Sequence, residues 1–88
     1  MKTNRNFVLQ EIADEFLVVP IGKDAEKIQG VIKLNESGAC LWKKLEEKDL
    51  SQDQLVQVLL SEYPIDKDTA SIDVVSFVQQ LNNMGCLL

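Results

Sequence analysis

Hydrophobic and polar positions follow strand patterns in the first third of the chain and helical patterns after it. Phe7 to Ile12 is rich in strand-forming residues, and Phe16 to Ile21 is apolar throughout. Only Ala13 to Glu15 separates these two runs, which is a length that suits a hairpin. A turn at Gly22 to Asp24 and a polar loop then lead to a third run, Gly30 to Leu34. This pattern predicts a three-stranded antiparallel meander.

Apolar residues recur at about helical spacing from Asn35 onward. Asn35 is a suitable cap for a first helix that extends to about Glu47. Ser51 and Gln54 have the spacing of a capping box, in which each side chain bonds the other residue's backbone N–H. They predict a second helix that ends before Pro64, because the residue preceding a proline disfavours helical geometry.

The third predicted helix begins after Asp66, runs to about Met84 and stops at Gly85, a residue that readily adopts the left-handed conformation. At helical spacing one apolar stripe faces the core, formed by Ala70, Val74, Phe77, Val78, Leu81 and Met84. Three strands that precede three helices, with no linker or repeat, predict an α+β fold and one domain over residues 1–88.

Two apolar residues, Ile72 and Val75, fall outside the centre of this stripe, beside the uncharged Ser76 and Gln79. They are candidates for the lining of a weakly polar groove between the third helix and the third strand. A wide core stripe and a homodimer contact are the alternatives, since scattered apolar residues are common on protein surfaces.

The third strand is also a candidate binding edge, because a meander leaves its first and third strands unpaired on one side. Such an edge presents backbone N–H and C=O groups that can accept another strand. Val31 and Ile32 are β-branched and the run contains no proline, both of which favour pairing. Lys33 has a second interpretation, as a charge that protects the edge from pairing.

The composition, with 45% hydrophobic and 26% charged residues, is typical of an ordinary soluble globular domain. No apolar run approaches the roughly 20 residues that span a bilayer, and no hydrophobic segment follows Lys2 and Arg5 as it would in a secretion signal. We therefore expect a cytoplasmic protein without a membrane segment.

Catalysis and metal binding are both disfavoured by the residue types present. The chain has no histidine, so its serines lack the usual base, and no glycine-rich phosphate loop occurs. Cys40 and Cys86 lie far apart, and we interpret them as small apolar residues of the interior in preference to redox or disulfide partners. Trp42 is predicted to be a core anchor. We expect a protein that is not an enzyme and has no catalytic residue, metal or cofactor.

DNA binding is the alternative function, since three helices with a small sheet also make winged-helix regulators. The formal net charge is -5, and Gln52 to Tyr63 contains no lysine or arginine. Lys67 is the only basic residue of the third predicted helix. Phosphate binding would oppose the protein's own field, so nucleic acid is an unfavoured partner. Lys43, Lys44 and Lys48 are interleaved with glutamates, as on a solvated face.

The junction Leu34-Asn35-Glu36-Ser37-Gly38-Ala39-Cys40-Leu41-Trp42 resembles the "LN-x-(S/T)-G-A-x-x-(W/L)" motif of the PqqD-like family. Downstream, Ser51 to Tyr63 is similar to that family's second helix. Asp66, Asp73-Val74, Phe77, Leu81, Gly85 and Leu87 are similar to its third helix and tail. The similarity covers roughly residues 30–88. The Gly22 to Gln29 loop is longer than the family pattern, which leaves the register of the third strand open.

This resemblance implies a winged-helix-like domain that binds the leader of a ribosomally made precursor peptide and presents it to a modifying enzyme, often a radical S-adenosylmethionine (SAM) enzyme. It implies that the peptide adds a strand beside the third strand and packs against the third helix. The expected peptide-binding residues are Gly30, Val31, Ile32, Lys33, Leu34, Ile72, Asp73, Val75, Ser76 and Gln79. A homodimer through the same edge is a further possibility.

Overall fold

The computed structural model describes residues 1–22 and 30–88. In these residues the strands are β1 (Phe7–Ile12), β2 (Glu15–Pro20) and β3 (Ile32–Leu34), and the helices are α1 (Glu36–Glu47), α2 (Gln52–Glu62) and α3 (Lys67–Asn83). The strands form one antiparallel sheet in the order β1-β2-β3. The predicted α+β class, with the sheet before the helices, is confirmed. The predicted polar loop and all but Gly22 of the turn before it lie outside the described residues.

A two-residue turn connects β1 and β2, one residue shorter than the predicted connection. Ala13 and Asp14 have positive φ angles of 50° and 66°, and Ile12 pairs with Glu15 directly across the turn. Two consecutive left-handed residues define a type I′ turn, whose twist matches that of the flanking strands. Asparagine and glycine adopt this geometry readily, whereas the Cβ of alanine crowds it.

Replacing Ala13 by asparagine is therefore expected to stabilise the protein by about 0.5–1 kcal/mol, since Ala13 is exposed and only its backbone strain changes. Urea unfolding of the purified variant measures this difference. A matched change, Ala13→Val, is expected to destabilise, because a β-branched residue is still more strained at positive φ. Equal stability of the two variants would contradict the assignment of the turn.

The alternation of hydrogen-bonded and non-bonded residue pairs in the sheet explains why β3 is shorter than the predicted strand, Gly30 to Leu34. A two-residue hairpin closes on a hydrogen-bonded pair, here Ile12 with Glu15, and bonded and non-bonded pairs then alternate along the ladder. By this alternation the nitrogen of Pro20 is directed toward β3, at the level of Gly30. Proline has no N–H to donate, so the ladder stops short of this level and β3 begins at Ile32.

All three predicted helix caps are present. The Asn35 side chain accepts the backbone N–H three residues on, at 2.8 Å. Ser51 and Gln54 form both bonds of the capping box, at 3.1 and 2.8 Å. Asp66 accepts the N–H of Thr69 at 2.7 Å, and this hydrogen bond lowers the pKa of the Asp66 carboxyl. Local side-chain chemistry therefore sets the start of every helix.

The end of α3 leads into a contact between the two termini of the chain that sequence patterns did not predict. Asn83 ends the helix, one residue earlier than expected, and Gly85 follows with φ of 74°. The chain then runs back beside the N-terminal segment. The Asn4 N–H donates to the Cys86 carbonyl, and the Leu88 N–H donates to the Lys2 carbonyl, both at 2.8 Å.

The core lies between the sheet and the helices and includes Trp42, which is fully buried as predicted. From the predicted α3 stripe Ala70, Val74, Phe77 and Leu81 are buried, whereas Val78 and Met84 are partly buried. Both cysteines are free; Cys86 is buried and Cys40 half-buried. Burial raises the pKa of the Cys86 thiol to about 11, which keeps it neutral at physiological pH.

No helix within residues 1–22 and 30–88 combines the length and apolar character needed to cross a bilayer. The same residues contain no group of three or more histidine, cysteine, aspartate or glutamate side chains placed to hold a metal ion.

Candidate peptide-binding site

β3 forms one edge of the sheet, and its register identifies which backbone groups face outward. Ile32 pairs with Val18 and Leu34 pairs with Phe16. By the alternation of the ladder, these two β2 residues direct their hydrogen-bonding groups away from β1 and toward β3. Ile32 and Leu34 therefore bond to β2, and the N–H and C=O of Lys33 point away from the sheet. This edge can pair with an added strand.

Side chains of β3 alternate between the core and the opposite face. Ile32 and Leu34 are buried, whereas Val31 and Lys33 are exposed. The Lys33 ammonium group bonds to the Glu15 carboxylate at 2.9 Å, and Glu15 lies on the neighbouring strand β2. This pairing directs the charge back over the sheet, so Lys33 does not extend its charge beyond the free edge.

A concave groove of about 360 Å³ lies between the end of β3, the start of α1 and the side of α3; we call it the strand-helix groove. Three of its lining residues, Leu34, Leu41 and Phe77, are buried and apolar. The other lining residues are Lys33, Asn35, Ser37, Gly38, Asp73, Ser76 and Gln80. The groove therefore combines an apolar floor with a polar rim.

Gly38 shapes the α1 end of the strand-helix groove. A Cβ at this position would lie 3.0 Å from the Asn35 Oδ1 and 3.3 Å from the Leu34 Cβ. The absence of a side chain lets the capping bond from the Gly38 N–H to Asn35 form while β3 passes closely over α1. Gly38 therefore allows β3 and the first turn of α1 to pack closely at this end of the groove.

A second depression of about 380 Å³ lies on α3; we call it the α3 patch. It is lined by Ser71, Ile72, Val75, Ser76 and Gln79, none of which is charged. Ile72 is 68% exposed and Val75 is 40% exposed, so both apolar side chains are available for contact. Ser76 lines both the α3 patch and the strand-helix groove, which makes the two depressions neighbours.

The residues expected at the site fall into three groups. Lys33, Leu34, Asp73 and Ser76 line the strand-helix groove, whereas Ile72, Val75 and Gln79 line the α3 patch together with Ser76. Gly30, Val31 and Ile32 line neither depression. A Cβ at Gly30 would lie 3.4 Å from Met84 Cε, Val31 is exposed, and Ile32 belongs to the core.

Sequence reasoning did not assign Asn35, Ser37, Gly38, Leu41, Phe77 or Gln80 to the site, although all six line the strand-helix groove. Asn35 and Gly38 belong to the junction motif, and capping explained Asn35 without a site. Leu41 and Phe77 have the spacing of core residues, and they form the floor of the groove in addition to packing inside. Nothing in the sequence distinguishes Gln80 from any other polar residue on the surface of a helix.

The lysines of α1 line a different cleft. Lys43 and Lys44 lie with Glu47, Glu62 and Tyr63 around the half-buried Cys40. Burial and the nearby Glu62 carboxylate raise the pKa of the Cys40 thiol, which favours the neutral thiol over the thiolate. The mixture of charges agrees with the solvated face predicted from the sequence.

Comparison with known proteins places this geometry in a family. The model of Coenzyme PQQ synthesis protein D (PqqD) matches residues 7–87. The structure of TbiB1 in complex with the TbiA(beta) leader peptide aligns with a TM-score of 0.74 at 25% identity, covering 99% of this chain and 94% of that chain. Lasso peptide synthetase B1 complexed with the leader peptide aligns with a TM-score of 0.72 at 20% identity, covering 99% and 95%, and shows the shared fold. No curated protein matched significantly. The chain belongs to the PqqD family.

Proposed function

We propose that this protein binds the leader segment of a ribosomally synthesised precursor peptide and presents it to a modifying enzyme. The observation that carries the proposal is the outer edge of β3, which pairs with no other described strand and lies beside a groove whose other wall is α3. Membership of the PqqD family supports it, as does the likeness to TbiB1, a protein seen in complex with a leader peptide.

In the proposed mechanism the leader adds as a fourth strand at β3. Its backbone exchanges hydrogen bonds with the outward N–H and C=O of Lys33, which provide affinity with little dependence on sequence. Alternate side chains of the added strand face the helices. These side chains enter the strand-helix groove and reach the α3 patch, and the fit there selects the leader.

We propose that the protein itself is not catalytic and needs no cofactor. Ser37 and Ser76 line the groove in a chain without histidine, so neither has the usual partner for nucleophilic chemistry. The chemistry would be supplied by the partner, for which a radical SAM enzyme is our first candidate. We assign the activity to the cytoplasm, where ribosomes release the precursor.

DNA binding is disfavoured by charge. The net charge is -5, and α3 has Lys67 as its one basic residue. Asp73 is a residue of α3 that lines the strand-helix groove, where its carboxylate would repel the phosphate groups of DNA.

A substitution in β3 tests strand addition. Lys33→Pro removes the outward N–H but none of the donors that bond to β2, so the fold is expected to survive, as for prolines on edge strands generally. The leader should then bind at least about tenfold more weakly, since it loses a backbone hydrogen bond and meets the proline ring. Isothermal titration with leader peptides encoded near the gene measures the change.

Lys33→Gln is the matched control, because it removes the charge and the Glu15 ion pair but keeps the N–H. Near-normal affinity of this variant, with strong loss for Lys33→Pro, is the expected pair of results. If Lys33→Pro remains folded by circular dichroism and binds normally, strand addition at β3 is wrong.

A further inference from the structure

The strand-helix groove and the α3 patch differ in charge, which bears on the kind of leader that each accepts. Asp73 contributes a carboxylate to the groove, whereas Lys33, the only basic residue in the described part of its lining, is already paired with Glu15. Among residues 1–22 and 30–88, no charged residue lines the α3 patch. We propose that the groove selects a lysine or arginine side chain of the leader and that the patch selects an apolar one. This inference rests on the proposed function and names its substrate class.

The shape of the groove favours a long cationic side chain. Lysine and arginine bury an aliphatic stem while their charged heads remain near polar groups. Leu34, Leu41 and Phe77 form an apolar floor that can pack against such a stem. On the rim, the Asp73 carboxylate is the acceptor for the head, and the Ser76 hydroxyl and Gln80 amide oxygen are neutral acceptors beside it.

The net charge of the protein and the partial burial of Asp73 also favour a basic leader residue. The protein's net charge of -5 attracts a basic segment and repels an acidic one. Asp73 is half-buried, so its field is less screened than that of a fully exposed carboxylate. An acidic leader residue at the same place would be repelled by the Asp73 carboxylate. It would also lose hydration, and the described lining offers it no cation that is not already paired.

The two depressions also constrain the order of residues in the leader. The two depressions meet at Ser76 on α3, and successive residues of a strand point to opposite faces. Side chains that enter both depressions from one strand must therefore be separated by an even number of positions. The expected motif is a basic and an apolar residue on the same face of the strand.

Selection from a phage-displayed library of random linear peptides tests this specificity. The wild-type protein should enrich peptides with lysine or arginine at one position and an apolar residue an even number of positions away. For a selected peptide, Asp73→Asn should weaken binding about fivefold to tenfold, and the loss should disappear when the peptide's basic residue is replaced by glutamine. Asp68→Asn is the matched control, since it removes the same charge from α3 but lines neither depression.

The outcomes separate this inference from the proposed function. Selected peptides that shift the amides of Lys33 in NMR spectra but show no basic preference would overturn the charge selection and leave peptide binding intact. Equal losses for Asp73→Asn and Asp68→Asn would also overturn it, because the effect would then be one of net charge. Failure of the protein to enrich any peptide would contradict the proposed function itself.

Discussion

Val75→Glu is expected to leave the protein folded and to weaken leader binding by at least about tenfold. Val75 is 40% exposed on α3 and lies outside the buried core, so a glutamate can point to solvent in the free protein. In the complex the same carboxylate would be covered by an apolar leader side chain. Desolvating an unpaired charge costs about 2 kcal/mol or more, which corresponds to a tenfold or larger loss of affinity.

Gln57→Glu provides the control for Val75→Glu. Gln57 is exposed on α2 and lines neither the strand-helix groove nor the α3 patch, but the change adds the same negative charge. Fluorescence anisotropy with a labelled leader peptide compares the two variants, and circular dichroism checks that both are folded. Unchanged affinity for a folded Val75→Glu protein would remove the α3 patch from the site.

Trp42→Ala is expected to lower the free energy of unfolding by about 3–5 kcal/mol, the largest effect on stability among these variants. Trp42 has no exposed surface and packs inside the core between the sheet and the helices. Small domains have total stabilities of about 5–15 kcal/mol, so this loss brings the protein near or beyond unfolding at physiological temperature. Urea denaturation followed by circular dichroism measures the difference.

Trp42→Phe separates the packing of the ring from its polar group. Within the described residues the Trp42 Nε1 donor has no hydrogen-bond partner, so the indole N–H brings a desolvation cost that phenylalanine lacks. Phenylalanine keeps most of the aromatic volume, and its loss of stability is expected to be clearly smaller than that of alanine. Equal destabilisation by the two substitutions would mean that the indole N–H matters and has a partner.

Much of the fold was predictable because the relevant signals are local. Asn35, Ser51 and Asp66 each bond to a backbone N–H three residues away, so a short stretch of sequence contains the whole helix start. The buried positions of α3 follow from helical spacing alone. The start of β3 was predicted less well, because it depends on the direction of the Pro20 nitrogen, which the register with β1 decides.

The candidate site was predictable only in part. The exposure of Ile72 and Val75 was predictable from the sequence, because both fall outside the centre of the apolar stripe of α3. Asp73 was expected through resemblance, and its place in the groove depends on the packing of α3 beside β3. Ser37 and Gln80 were missed because a polar residue at a helix surface looks the same in sequence whether it lines a groove or faces open water.

The sequence by itself determined the order of strands and helices, the helix caps and the apolar face of each element, since these depend on residues within a few positions of one another. Tertiary structure alone decided which backbone groups of β3 face outward, how α1 and α3 close the strand-helix groove, and that Ser76 joins it to the α3 patch. The physical reason is distance along the chain. Leu34, Ser37 and Ser76 share one surface only after the common core has packed the strands against the helices.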